Sequence, residues 1–152
     1  CVSPRKIERR RAKSTEEMRM IKTQGLVHFT IPVTDTARSR DFYCRVLGMK
    51  LLRDTGERGM VFLDSGGDCV ILAKVDKPIS TAGAVDVHHS FLVAHEDYAA
   101  ALAELRAGGV KFLYDEDRRD GIVDGPRAYF EDPDGNVLEI IDLTRYAGAA
   151  AE

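Results

Sequence analysis

The feature that most constrains this chain is an internal repeat. Set His28-Phe29-Thr30-Ile31-Pro32-Val33 above His89-Ser90-Phe91-Leu92-Val93-Ala94 and continue without a gap. Arg45 then falls on Arg106, Gly48 on Gly109, Lys50 on Lys111 and Leu52 on Leu113, each pair 61 apart. The register resumes at Phe62 and Phe130, Asp64 and Asp132, and Gly67 and Gly135, now 68 apart. Seven extra residues therefore lie between the second and third strands of the second copy. Two copies of one unit, each opening on a histidine, predict a paired fold with a ligand site where the copies meet.

The unit reads as βαβββ. In the first copy, 25–33 alternates and is rich in β formers. Thr34-Asp35-Thr36 supplies N-cap chemistry, and a helical stripe of Phe42, Val46 and Leu47 ends at Gly48. Strands follow at 49–53, 59–63 and 69–75. The second copy gives a strand at 87–94, an Ala-rich helix at 97–107 closed by Gly108-Gly109, and a strand at 110–114. A charged loop, 115–126, leads to strands at 127–131 and 137–143 around the turn Asp132-Pro133-Asp134-Gly135-Asn136. The expected fold class is α+β: two paired βαβββ modules, 24–77 and 85–146, forming a curved mixed sheet around a shared pocket. Neither half can bury both faces of its strands alone, so the halves pack on one another or on a partner chain. The basic segment 1–23 is expected to be disordered and 147–152 to be a loose tail.

Composition excludes several classes. At 152 residues the chain holds one compact domain or two small modules sharing a core, and its net charge of −3 argues for neither nucleic acid nor membrane as partner. There is no apolar run of about 18 residues to span a membrane and no secretory signal. Cys1, Cys44 and Cys69 form no metal or disulfide pattern, which suits a reduced, cytoplasmic protein.

Strand alternation nominates a site. Phe29, Ile31 and Val33 form the apolar set of the first strand, so His28, Thr30 and Pro32 face the opposite, concave side. The 61-residue offset puts His89 on that side too, sets Ser90, Leu92 and Ala94 under their helix, and points His88 away. In Val137-Leu138-Glu139-Ile140-Ile141 a single carboxylate interrupts an apolar run, and a buried carboxylate needs a partner. A divalent cation held by His28, His89 and Glu139 supplies one. Two histidines and a carboxylate with open positions suit Fe(II) or Mn(II), and with less discrimination Zn(II), Ni(II) or Co(II). The other reading pairs Glu139 with Arg127 or Arg145 and leaves two satisfied core histidines. The first copy offers Ile71 where the second has Glu139, so the metal site has three side-chain ligands and room for substrate. Tyr129 shares a face with Arg127 and is the candidate catalytic residue, placed to hydrogen-bond a substrate oxyanion. Thr30 and Arg127 are candidate substrate-binding residues.

Gly25-Leu26-Val27-His28, Asp41-Phe42-Tyr43 and Val46-Leu47-Gly48-Met49 resemble the opening module of the vicinal oxygen chelate superfamily, which includes glyoxalases, extradiol dioxygenases, and fosfomycin- and bleomycin-resistance proteins. His88-His89, the helix ending Gly108-Gly109-Val110, and the stretch from Tyr129-Phe130-Glu131-Asp132-Pro133-Asp134-Gly135-Asn136 to Glu139 resemble its second module. The likeness covers about 24 to 146. It implies a metal that chelates neighbouring substrate oxygens, with His28, His89 and Glu139 at the ligand positions and Tyr129 at a substrate-contacting one. It also implies a homodimer, in some branches with sites built from both subunits. Glyoxalase-like isomerases use a fourth ligand, and Ile71-Leu72 offers none. Extradiol dioxygenases match the three-ligand pattern but carry acid-base histidines that are missing here. The expectation is a metal-dependent enzyme acting on a small oxygen-rich substrate, with extradiol-dioxygenase-like chemistry ahead of a glyoxalase-like lyase or a fosfomycin-type thiol transferase. The alternative of another class is a metal-free antibiotic-binding protein like those for bleomycin.

Overall fold

The computed structural model describes residues 26–79 and 82–146. The expectations for 1–23 and 147–152 lie outside these residues. The first module runs β1 (His28–Val33), α1 (Thr36–Val46), β2 (Lys50–Asp54), a 3₁₀ turn at Gly56–Arg58, β3 (Met60–Ser65) and β4 (Asp68–Lys74). The second runs β5 (His88–Leu92), α2 (His95–Ala107), β6 (Lys111–Arg118), β7 (Val123–Glu131) and β8 (Val137–Ile141), and a short β9 (Arg145–Tyr146) pairs with β7. The sheet orders are β1-β4-β3-β2 and β5-β8-β7-β6. In each, the edge pair (β1 with β4, β5 with β8) is parallel and the rest antiparallel. The fold is α+β, two βαβββ modules with a mixed sheet apiece.

Local chemistry explains the elements. The Asp35 carboxylate accepts from the backbone N–H groups of Ala37 and Arg38, both at 3.0 Å, and so caps α1. Gly48, at φ 63°, turns the chain out of that helix. Helix α2 has no side-chain cap and relies on its alanines and on Glu96 and Asp97 in its first turn.

One core joins the modules. Ile31, Val33, Val61, Leu63, Val70 and Leu72 pack in a single cluster with Phe91, Ala128, Phe130, Leu138 and Ile140, roofed by Tyr43, Tyr98 and Leu105 from the helices. A polar clasp reinforces it. The Asp132 carboxylate accepts from the Tyr43 hydroxyl (2.9 Å), from Asn136 Nδ2 (2.8 Å) and from the backbone of Asp134 and Asn136. Asp134 in turn accepts from the Thr34 hydroxyl and from Arg38, and Asn136 Nδ2 reaches the Pro32 carbonyl. The β7–β8 turn of one module is thereby fastened to the β1–α1 corner of the other.

The predicted loop at 115–126 is instead a hairpin, because β6 continues to Arg118 and β7 begins at Val123. Backbone pairing of Asp115 with Ala128, Glu116 with Arg127 and Asp117 with Pro126 overrides the low β propensity of these charged residues. The seven extra residues lengthen two strands. Gly125, at φ 137°, sits where β7 meets the returning chain, and a Cβ there would lie 1.9 Å from the Asp142 carbonyl oxygen.

Candidate metal and substrate site

The site grows from one row of the second sheet. Ser90 on β5 stands opposite Glu139 on β8, which stands opposite Tyr129 on β7. Directly opposed residues share a face, so all three project together, with His88 and Arg127 two residues along their strands. Glu139 is 1% exposed. Its Oε1 accepts from the Ser90 hydroxyl at 2.5 Å. Its Oε2 is buried and has no hydrogen-bond partner among the described residues. Two groups flank it beyond hydrogen-bond reach: His88 Nε2 at 3.5 Å and Arg127 Nη1 at 3.6 Å.

The tautomer of His88 sharpens this. Its Nδ1 lies 2.5 Å from the Val85 carbonyl oxygen, which can only accept, so Nδ1 carries the proton. In the neutral ring Nε2 then turns a lone pair toward the unpartnered oxygen of Glu139. Two lone pairs facing one another make a pair of donors that a cation between them would satisfy. A histidine nitrogen and a carboxylate oxygen 3.5 Å apart are donors that would suit a divalent metal bound between them. The donors present fit a divalent metal.

The surrounding groups are tuned accordingly. Burial, reinforced by the neighbouring Glu139 carboxylate and opposed by the Arg127 guanidinium, pushes the Tyr129 phenol up to about 12. It is therefore a neutral proton donor at ordinary pH. The Tyr114 ring lies over Tyr129 at 4.7 Å, and the His88 ring meets it edge-on at 5.3 Å. Arg127 is buried, with Nε and Nη2 donating to the Gly125 and Val123 carbonyls at 3.2 and 2.8 Å. Only Nη1 is left facing the carboxylate. Arg145 pairs with Asp124, not with Glu139.

The structure corrects the histidine assignment. His89 does not share a face with Glu139: it stands opposite Leu138 and stacks on Phe29 at 5.0 Å, toward the core. Burial, with His88 nearby, lowers its pKa. Ser90 and Leu92, expected under their helix, lie on the outer face, and Phe91 is the buried residue. The cause is a net shift of one residue. α2 is two residues longer than α1 (13 against 11) but begins one residue sooner after its strand, so the 61-residue offset that aligns the helix ends misaligns the strands before them by one. In the structure His28 corresponds to His88 and Thr30 to Ser90, 60 apart. A one-residue slip turns every strand side chain to the other face. The signal was in the sequence: Phe91 and Val93 match Ile31 and Val33 at that offset.

His28 and Thr30 project from the outer face of the first sheet, exposed, beside Cys69 and Ile71. Ile71 stands next to Thr30 as Glu139 stands next to Ser90. The structure does not bring His28 to Glu139. Among the described residues of one chain, no three His, Cys, Asp or Glu side chains gather as a metal-binding group. A cavity of about 540 Å³ lies at the C-terminal ends of α1 and α2, and one of about 470 Å³ lies beside β5, lined in part by Ser90, Phe91 and Leu92.

The model of the family described as Glyoxalase/Bleomycin resistance protein/Dioxygenase superfamily matches residues 25–140. The chain belongs to this superfamily. Within it, glutathione transferase FosA of Serratia marcescens is 26% identical over 117 residues, 77% of this chain and 79% of that protein. The fosfomycin resistance protein FosX of Listeria monocytogenes superimposes with a TM-score of 0.66 at 21% identity, over 81% of this chain and 94% of that one. A variant of the Listeria protein complexed with Mn(II) and 1S,2S-dihydroxypropylphosphonic acid gives 0.67 at 20% identity, over 79% and 90%. An integron cassette protein from a Halifax Harbour sewage outfall gives 0.63 at 24% identity, over 80% and 100%. These superpositions show the shared fold.

Proposed function

We propose that this protein is a divalent-metal-dependent enzyme of the fosfomycin-resistance kind, opening a small oxygen-rich phosphonate with an added nucleophile. One observation carries the reading: the unpartnered Oε2 of Glu139 faces the lone pair of His88 Nε2 across 3.5 Å. His88 and Glu139 would hold the metal, joined by His28 of a second copy, whose exposed place on β1 makes it available to a homodimer. The metal, when bound, polarises a substrate oxygen. Tyr129, kept protonated by burial, donates a hydrogen bond to that oxygen or to the alkoxide it becomes. Arg127 Nη1, the arm not spent on carbonyls, meets the negative charge of the phosphonate. Tyr114 keeps water from the Tyr129 side, and Thr30 arrives with His28 to line the pocket.

Ring cleavage ranked first on sequence. It gives way because the named relatives are a glutathione transferase and fosfomycin-resistance proteins, and because the acid-base histidines of the dioxygenases are absent here. In the proposed reaction a bond forms from thiol sulfur or water oxygen to an epoxide carbon, the carbon–oxygen bond breaks, and the released oxygen takes up a proton.

The test is ³¹P NMR of fosfomycin with Mn(II)-loaded protein, in the presence and absence of glutathione. Ring-opened product is expected from wild type and not from His88→Ala or Glu139→Gln. A protein that binds Mn(II) but opens the ring with neither nucleophile would refute the substrate. A protein that binds no divalent metal would refute the enzyme reading.

A further inference from the structure

We propose that Ser90 is a positioning residue that makes Glu139 a one-oxygen ligand, reserving a metal position for substrate. The inference rests on the metal-site reading above. Ser90 lies directly opposite Glu139 in the parallel pairing of β5 with β8, and its hydroxyl donates to Oε1 at 2.5 Å. The two backbones are fixed by the sheet, so that bond holds the carboxylate plane as well as one oxygen. Oε1 is committed, and Oε2 alone is offered toward His88.

A carboxylate with both oxygens free can close on a cation through both and use two coordination positions. With one oxygen pinned it uses one. A substrate that binds through two neighbouring oxygens needs the position thus spared. The device belongs to the second module only: Thr30, the counterpart of Ser90, faces Ile71 and has no carboxylate to hold. Ser90 is itself exposed and sits on an edge strand, so a change there is accommodated without disturbing the core.

The experiment compares full-length wild type, Ser90→Thr and Ser90→Val, each saturated with Mn(II). Thr and Val share a shape and differ by the hydroxyl, and both suit a strand. Water-proton relaxation by the bound ion counts its exchanging waters, independently of turnover. Ser90→Thr is expected to match wild type. Ser90→Val is expected to lose relaxivity equivalent to one water, as the freed Oε1 closes on the ion. Equal relaxivity in all three, or equal loss in Thr and Val, would overturn the role of Ser90 and leave the metal site standing. Failure of wild type to take up Mn(II) would overturn both.

Discussion

Glu139→Gln separates two accounts of the same buried carboxylate. If Arg127 and Glu139 form a structural ion pair, neutralising one partner strands the other, at a cost of about 3–5 kcal/mol. The geometry argues for a much smaller cost. Arg127 Nη1 stands 3.6 Å from Oε2, too far for a hydrogen bond, and the guanidinium keeps its two carbonyl acceptors whatever residue 139 is. Ser90 can still donate to the amide oxygen of Gln. Meanwhile the wild-type protein buries a carboxylate oxygen with no partner, a penalty of about 1–3 kcal/mol that an amide relieves in part. Metal-free Glu139→Gln should therefore unfold in urea within about 1 kcal/mol of wild type, or be slightly more stable. Metal reverses the order. At a hundredfold excess over its dissociation constant, a bound ion stabilises wild type by about 2.7 kcal/mol. For a chain of this length that raises Tm by about 5–10 °C, and the variant should show no rise. Urea melts of both proteins, with EDTA and with Mn(II), give all four numbers. A loss above about 3 kcal/mol in the metal-free variant would refute the reasoning and establish the ion pair.

Three further outcomes are expected. His88→Ala should abolish Mn(II) uptake measured by equilibrium dialysis, while His89→Ala retains it and loses about 1–2 kcal/mol of stability with its stacking on Phe29; the opposite pattern would restore the 61-residue register. Tyr43→Phe removes a buried hydrogen bond to the Asp132 carboxylate and should cost about 2 kcal/mol in urea unfolding; an unchanged midpoint would show the inter-module clasp to be energetically idle. Asp134 supplies a pH dependence. Burial opposes its charge, but hydrogen bonds from Thr34 and Arg38 prevail and hold its pKa below 3.8. A lowered folded pKa means stability present above 3.8 and lost as pH falls through the folded value. Wild type should therefore lose more stability than Asp134→Asn between pH 5 and about pH 3; parallel losses would assign the acid sensitivity to other groups.

Much of the fold could be read from local chemistry. Asp35 as cap, Gly48 as helix stop, and the alternation of Phe29, Ile31 and Val33 each act through neighbours in sequence, so the first module emerges nearly intact. Glu139 was legible because one carboxylate in an apolar strand demands an explanation. The choice between His88 and His89 was not. The 61-residue offset was anchored on residues at the helix ends, and helices of unequal length absorb a residue that a strand of period two cannot. The 115–126 hairpin is illegible for another reason. Its residues pair through backbone and through cross-linked charges, Arg118 with Glu116 and Arg106 with Asp115, and neither leaves a hydrophobic period. The sequence singles out Arg127, but its commitment to the Gly125 and Val123 carbonyls is set by the curl of β7 around Gly125, which no pattern of residue types conveys.

The clasp between Asp132, Asp134 and the β1–α1 corner has a consequence for how the chain tolerates being broken. Its bonds join residues about a hundred positions apart, such as Thr34 with Asp134. The modules are riveted to each other through space as well as joined by the chain. Two separately made halves should find one another and reassociate through the same rivets.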